Sequence, residues 1–237
     1  MKKKKIKNPL IKRIPKELIG DWKKYLVVFL FLVLTIGFVS GMYVANESMI
    51  TSANEGVTKY KQEDGHFELK KQADATLLSA IETGEKADFK ATKTTLYENF
   101  FRNEEEDYNN DGKKDGTIRV FAKTKDINLA CMLQGSFPQK ADEIAIDRMH
   151  ADNVGIKVGD TVTVSGETYK VVGLLAYVNY STLHEKTTDL MFDALKFDVA
   201  MVTQDGFDRL HKSIHYTYAW KYETEPCLLY TSPSPRD

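Results

Sequence analysis

Residues Tyr25 to Val44 read YLVVFLFLVLTIGFVSGMYV, twenty residues without a charged side chain. At 1.5 Å per residue a helix of that length spans about 30 Å, the thickness of a bilayer's hydrocarbon core. Lipid offers no partner for backbone N–H and C=O groups, so such a run can cross only as a helix that satisfies them internally. The run constrains everything else: a basic segment lies before it and a long, polar, well-patterned segment after it. The chain has 237 residues, so the segment after the run has room for one ordinary domain or two small ones.

The formal charge of −1 hides a split across the run. Residues 1–24 hold ten of the 33 basic residues and two of the 34 acidic ones, which leaves 23 and 32 after it, a net of −9. The positive-inside rule then predicts a cytoplasmic N-terminus and an outer acidic domain, and a plasma (inner) membrane is the expected location. An acidic outer domain argues against nucleic acid as a partner, and a basic run that ends at a membrane span reads as contact with membrane lipids. A cleaved signal peptide would carry a shorter apolar core and a small-x-small site; Tyr43-Val44-Ala45-Asn46-Glu47 offers none, so the run reads as an uncleaved anchor.

Leu10, Ile14, Leu18 and Trp22 recur every four residues among Lys12, Arg13, Lys16 and Lys23. That spacing suits a short amphipathic helix on the inner leaflet, begun or kinked at Pro15, or a plain basic anchor without helical order. Asp21 stands where an N-cap would begin the membrane helix. Within the span Gly37 and Gly41 form a G-x-x-x-G pair, which lets a second helix approach closely. Glycine is also common in membrane helices generally. Residues 46–65 are polar and mostly helix-compatible and are expected to carry the helix outward as a stalk.

From residue 66 to 226 the pattern changes to short strands. Leu96–Phe101 and Thr117–Phe121 flank an acidic loop, and Leu129–Leu133, Glu143–Asp147, Thr161–Val164 and Thr168–Leu175 come after them, with turns at Gly135-Ser136, Gly159-Asp160 and Ser165-Gly166. Helices are predicted over Asp74–Glu82, Arg148–Val154 and near Phe207–Ile214. One N-terminal transmembrane helix followed by an α+β domain of mixed helices and strands is the expected fold class.

Asp107-Tyr108-Asn109-Asn110-Asp111-Gly112-Lys113-Lys114-Asp115 resembles the first part of an EF-hand-type calcium loop. Oxygen ligands from Asp107, Asn109, Asp111 and Asp115, with a glycine at the sixth position, are what a hard cation needs. Position twelve is Ile118 where a bidentate glutamate would stand, so a solvated hairpin turn is the competing reading. His211 and His215, four apart, would share a helical face; without a third ligand a surface role fits them better. No G-x-S-x-G or phosphate-loop motif is present, and Thr83-Gly84-Glu85-Lys86 lacks the spacing, so neither an enzyme nor ATP binding by this chain is expected.

Two cysteines, Cys131 and Cys227, permit one bridge without requiring it. Cys227 to Asp237 reads CLLYTSPSPRD, which resembles one frame of a sequencing adaptor; a natural Ser/Pro-rich tail is the alternative. On the first reading Cys131 stands alone as a small buried hydrophobe.

Lys12-Arg13-Ile14-Pro15-Lys16-Glu17-Leu18, Asp21-Trp22 and the span ending Gly37-Phe38-Val39-Ser40-Gly41 together resemble the start of FtsX-like ABC transporter permeases. Gly135-Ser136-Phe137-Pro138, then Asp142-Glu143-Ile144-Ala145-Ile146-Asp147, then Gly155-Ile156-Lys157-Val158-Gly159-Asp160-Thr161 is similar to the extracytoplasmic core domain of the MacB-like branch. Thr188-Asp189-Leu190-Met191-Phe192-Asp193 fits the same group.

The resemblance implies a permease subunit whose ATP and magnesium are bound by a separate ABC ATPase subunit, with a second permease copy or half beside it and further spans beyond Pro226. A single-pass anchored sensor or ligand-binding domain is the other reading.

Overall fold

The computed structural model describes residues 19–83, 94–180, 182–186 and 188–223. The expected inner-leaflet helix and the adaptor-like tail lie outside them. The chain forms two compact units, residues 1–55 and 56–237.

The first unit is dominated by helix α1, Trp22–Lys59, 38 residues long and without one buried side chain. The turn at Asp21 begins it: the Asp21 carbonyl accepts from the N–H groups of Lys24 and Tyr25, and its carboxylate pairs with Lys24 at 3.1 Å. Consecutive apolar residues such as Phe29, Leu30, Phe31 and Leu32 are all exposed, so no face is set aside for a protein core. A helix apolar all round is one whose solvent is lipid, and α1 is long and apolar enough to cross a membrane. The helix continues past the apolar run and ends at Lys59; Lys61 adopts a left-handed φ of 49° in the turn after it.

Among the described residues, the second unit is a mixed domain with ten strands. The strands β1 (Gly65–Leu69), β2 (Thr94–Glu98) and β10 (Tyr216–Tyr222) form an antiparallel sheet in the order β1-β10-β2. The other seven are β3 (Phe101–Asp107), β4 (Gly116–Ala122), β5 (Ala130–Gly135), β6 (Glu143–Asp147), β7 (Thr161–Val164), β8 (Glu167–Tyr177) and β9 (Phe197–Val202). Their order is β5-β8-β6-β9-β4-β3-β7, and β7 also pairs with β8. That last pairing closes the strands β8-β6-β9-β4-β3-β7 into a ring and removes most free edges. The described residues also form three short helices, α2 (Ala75–Thr83), α3 (Arg148–Val154) and α4 (Gln204–Asp208).

Alternation along the central strands builds two apolar clusters. Ile118 and Val120 of β4, Ile144 and Ile146 of β6, and Ala200 and Val202 of β9 enter one, with Val162, Tyr169 and Val171. Phe121, Ala145, Val199 and Met201 alternate with these and enter the other, with Phe197, Leu175 and Tyr177.

β6, β7 and α3 have the bounds the sequence predicts. Three expectations need correction. The strand expected over Leu96–Phe101 is broken at Asn99, because Phe101 already belongs to β3. The acidic segment expected as loop is strand as far as Asp107, with Glu104 and Glu106 turned inward and Glu105 outward. The helix near Phe207–Ile214 begins earlier and is shorter: the Thr203 hydroxyl accepts from the N–H of Gly206 and caps α4, which ends at Asp208.

Candidate functional site

Gly37 and Gly41 lie one turn apart on α1, and nothing among the described residues lies within 4 Å of where a Cβ would stand on either. They leave a shallow strip on the helix surface. His211 and His215 are not on a helix. His215 Nδ1 meets a Glu68 carboxylate oxygen at 2.7 Å and the ring stacks on Phe101, while His211 is exposed.

Asp107 ends β3, and Asn109, Asp111 and Asp115 lie in the loop that joins it to β4. Their oxygens accept from the loop's own backbone. The Asp107 carboxylate takes the N–H of Asp111 (3.1 Å) and of Gly112 (2.8 Å). The side-chain oxygen of Asn109 also accepts from the Asp111 N–H, at 2.9 Å, and Asp111 accepts from Lys113 N–H at 2.9 Å. Asp115 accepts from Tyr108 N–H at 3.2 Å. Asn110 (φ 58°) and Gly112 (φ 83°) take the left-handed conformations that the turn requires. The loop thus brings four oxygen-bearing side chains together, in a geometry that a hairpin turn alone accounts for.

One residue before Asp107, a different arrangement is buried in the domain. Glu106 of β3, His150 of α3 and Asp198 of β9 are 1%, 0% and 0% exposed, and one ligand-type atom from each lies within 4.8 Å of the others. Local structure fixes each of them. Asp147 ends β6 and caps α3, its carboxylate accepting from the N–H groups of Met149 (2.7 Å) and His150 (3.4 Å). Gly155, at φ 84°, closes the same helix, so His150 is held between two caps. Asp198 has the parity of Ala200 and Val202 along β9 and therefore points to their side of the sheet. Glu106 has the parity of Glu104, which is just as buried but satisfied: Lys212 N–H and the Ser165 hydroxyl donate to it.

Glu106 has no such donors. Neither of its carboxylate oxygens has a hydrogen-bond partner, nor do His150 Nε2 and Asp198 Oδ2. His150 Nε2 and Glu106 Oε1 are 3.3 Å apart, close enough for an ion pair but not aligned for a hydrogen bond. Burial pulls the His150 imidazole toward its neutral form. The charge of Asp198, and then the contact with Glu106, outweigh burial and push its pKa up to about 9. Burial also raises the Asp198 carboxyl well above its ordinary range, with His150 pulling it back down. Desolvation raises Asp147 too. No local pattern reveals this group, since its members are separated by 44 residues or more along the chain.

A second polar cleft, lined by Glu63, His66, Arg119, Asn179 and Tyr180, lies elsewhere in the domain. Arg119 is immobilised there by Asn103 (3.0 Å), the Tyr180 hydroxyl (3.0 Å) and the Glu185 carbonyl (2.9 Å), with its guanidinium over Phe101. His66 is raised by its 2.7 Å contact with Glu63, against the opposing effect of burial. Cys131 is half-buried and free, and accepts from the Tyr60 hydroxyl at 2.9 Å.

No family model matches the chain, and no curated protein matches it. Among solved structures it is similar to the extracellular domain of the noncanonic ABC-type transporter YknZ from Gram-positive bacteria, at 13% identity and a TM-score of 0.36, over 68% of this chain and 85% of that one. It is also similar to the periplasmic region of MacB from Actinobacillus actinomycetemcomitans, at 10% identity and a TM-score of 0.37, over 64% of this chain and 66% of that one.

Proposed function

We propose that the chain is a permease subunit of an FtsX/MacB-like ABC transporter, with its N-terminus in the cytoplasm and its folded domain outside the plasma (inner) membrane. A separate ATPase subunit hydrolyses ATP, and its motion reaches the outer domain through the membrane helices. The chain itself is not an enzyme. The observation that carries the reading is α1: 38 residues of helix, apolar around its whole circumference over the span, in one chain with a closed α/β domain. About twenty residues are enough to cross a bilayer, so the helix has length to spare beyond an anchor's need. The strip at Gly37 and Gly41 supports a helix partner, which a lone anchored sensor does not require.

The test uses the intact gene product co-expressed with a candidate ABC ATPase subunit from the same source. A cysteine placed at Lys113 should react with a membrane-impermeant thiol reagent in whole cells, and one at Lys3 should not. ATP should change the rate at Lys113 when the ATPase is active and leave it unchanged when the ATPase is inactivated. Absence of a copurifying ATPase, or labelling at Lys3 alone, refutes the assignment. Within the same complex, Gly41→Leu should reduce assembly severalfold while Val28→Leu leaves it intact.

A further inference from the structure

The Ala194 carbonyl can only accept a hydrogen bond, and it lies 2.7 Å from His150 Nδ1, so Nδ1 carries the hydrogen. The neutral ring then turns the lone pair of Nε2 toward Glu106 and Asp198. An imidazole anchored through one nitrogen to a backbone carbonyl, with the other nitrogen free, is the state in which histidine binds metals. Asp198 repeats the division of labour: Oδ1 accepts from the N–H groups of Asp147 (3.2 Å) and Val199 (2.7 Å), and Oδ2 accepts from none. Glu106 contributes two free oxygens. With the ring unprotonated, four lone-pair atoms converge with no donor among them, which is costly in a site closed to water and is relieved only by a proton or a cation.

We propose that Glu106, His150 and Asp198 form a buried structural site for one divalent transition cation of the zinc or manganese type. Two carboxylates and a neutral imidazole carry a charge of −2, which a divalent cation cancels. One nitrogen and three oxygens, Glu106 binding through both, make a complete four-ligand set of the borderline-hard kind zinc accepts. One atom from each residue, about 2.1 Å from a shared ion, would stand roughly 3–4 Å from the others, and the three already lie within 4.8 Å of one another. The site is closed to solvent, which fits a structural ion and not a catalytic one. It would clamp β3, α3 and β9, three elements distant in sequence.

The full chain, purified in detergent and stripped with a chelator, is titrated with zinc alone and, for its visible bands, with cobalt alone. One zinc per chain should survive gel filtration and raise the unfolding temperature. His150→Gln and Asp198→Asn should each weaken zinc binding by about 10–100-fold or more. Two other carboxylate–imidazole pairs, Glu63–His66 and Glu68–His215, keep their histidines accessible to solvent and offer zinc a competing foothold, so His66→Gln and His215→Gln should leave the effect intact. If the buried variants do not fold, the wild-type chain still decides: cobalt should give ligand-field bands that zinc abolishes. Zinc binding no tighter than in His150→Gln, no cobalt bands, or a shift that disappears with His66 or His215, overturns the proposal and leaves the cluster neutralised by protons.

Discussion

Strand β3 carries two acidic regions side by side, and they are built on opposite principles. At its end and in the loop after it, Asp107, Asn109, Asp111 and Asp115 turn their oxygens onto the loop's own N–H groups. One residue earlier, Glu106 points inward and meets only another carboxylate and an imidazole nitrogen. The loop satisfies its charge locally. The buried cluster depends on a positive charge held between three elements, so a proton or a metal ion is part of its structure. Acidic residues adjacent in sequence thus differ completely in what they demand of their surroundings.

That contrast is broken most directly by removing one partner from each region. His150→Leu leaves two buried carboxylates without a cation and should cost about 3–5 kcal/mol, read from the unfolding midpoint of the full chain. Asp111→Ala, in the exposed loop, should cost less than about 1 kcal/mol. Equal effects would mean that the cluster is not charged in the folded protein.

The next effect is on pH dependence. His150 binds its proton more tightly folded, at about 9 against an ordinary 6.5, so folding takes up a proton. Its stabilisation is fully present below pH 6.5 and is lost as pH rises through 9, on the order of 3 kcal/mol for a shift of that size. The groups facing it are Glu106 from β3, Asp198 from β9 and Asp147 at the cap of α3, with the edge of the Tyr108 ring. Asp198 and Asp147, both raised by burial, act in the same direction from lower pH. Chelator-stripped protein should therefore melt at progressively lower temperature from pH 6.5 to 9. Zinc-loaded protein should not, because the ion replaces the proton.

Smaller effects belong to the loop. Asp107→Ala removes acceptors from the N–H groups of Asp111 and Gly112 and should cost about 1 kcal/mol. Calcium is proposed to bind Asp107, Asn109, Asp111 and Asp115. At millimolar concentration it should add about 1 kcal/mol or less by mass action, with Asp111→Ala removing the gain. No calcium-dependent shift would leave the loop as a turn and nothing more.

What the sequence reveals and what it hides divide along the same line. The apolar run, the Gly37–Gly41 spacing, the Asp107–Asp115 motif and the β6–α3 boundary at Asp147 are local signals. Each can be read from one window of residues. β9 escapes because Phe197–Val202 is buried on both faces, so its apolar residues do not alternate with polar ones. Its one polar member, Asp198, makes it look still less like a core strand. β3 escapes for a related reason. Glu104-Glu105-Glu106 has the composition of a solvated surface, and only pairing with β4 on one side and β7 on the other shows that two of the three point inward. The buried cluster could not be read because its members meet only once the ring of strands has closed.

The small sheet has a consequence of its own. β10 lies against β1, with Trp220 opposite Gly65; Tyr222 N–H donates to Asp64, and Lys221 donates to the Gln62 carbonyl. The last strand among the described residues thus returns to the spot where the domain's polypeptide begins. A fold whose two ends are neighbours is interchangeable: it can be added to, or excised from, a connection between two other elements without stretching either of them. Its interior is free to diversify while the geometry of its attachment stays constant.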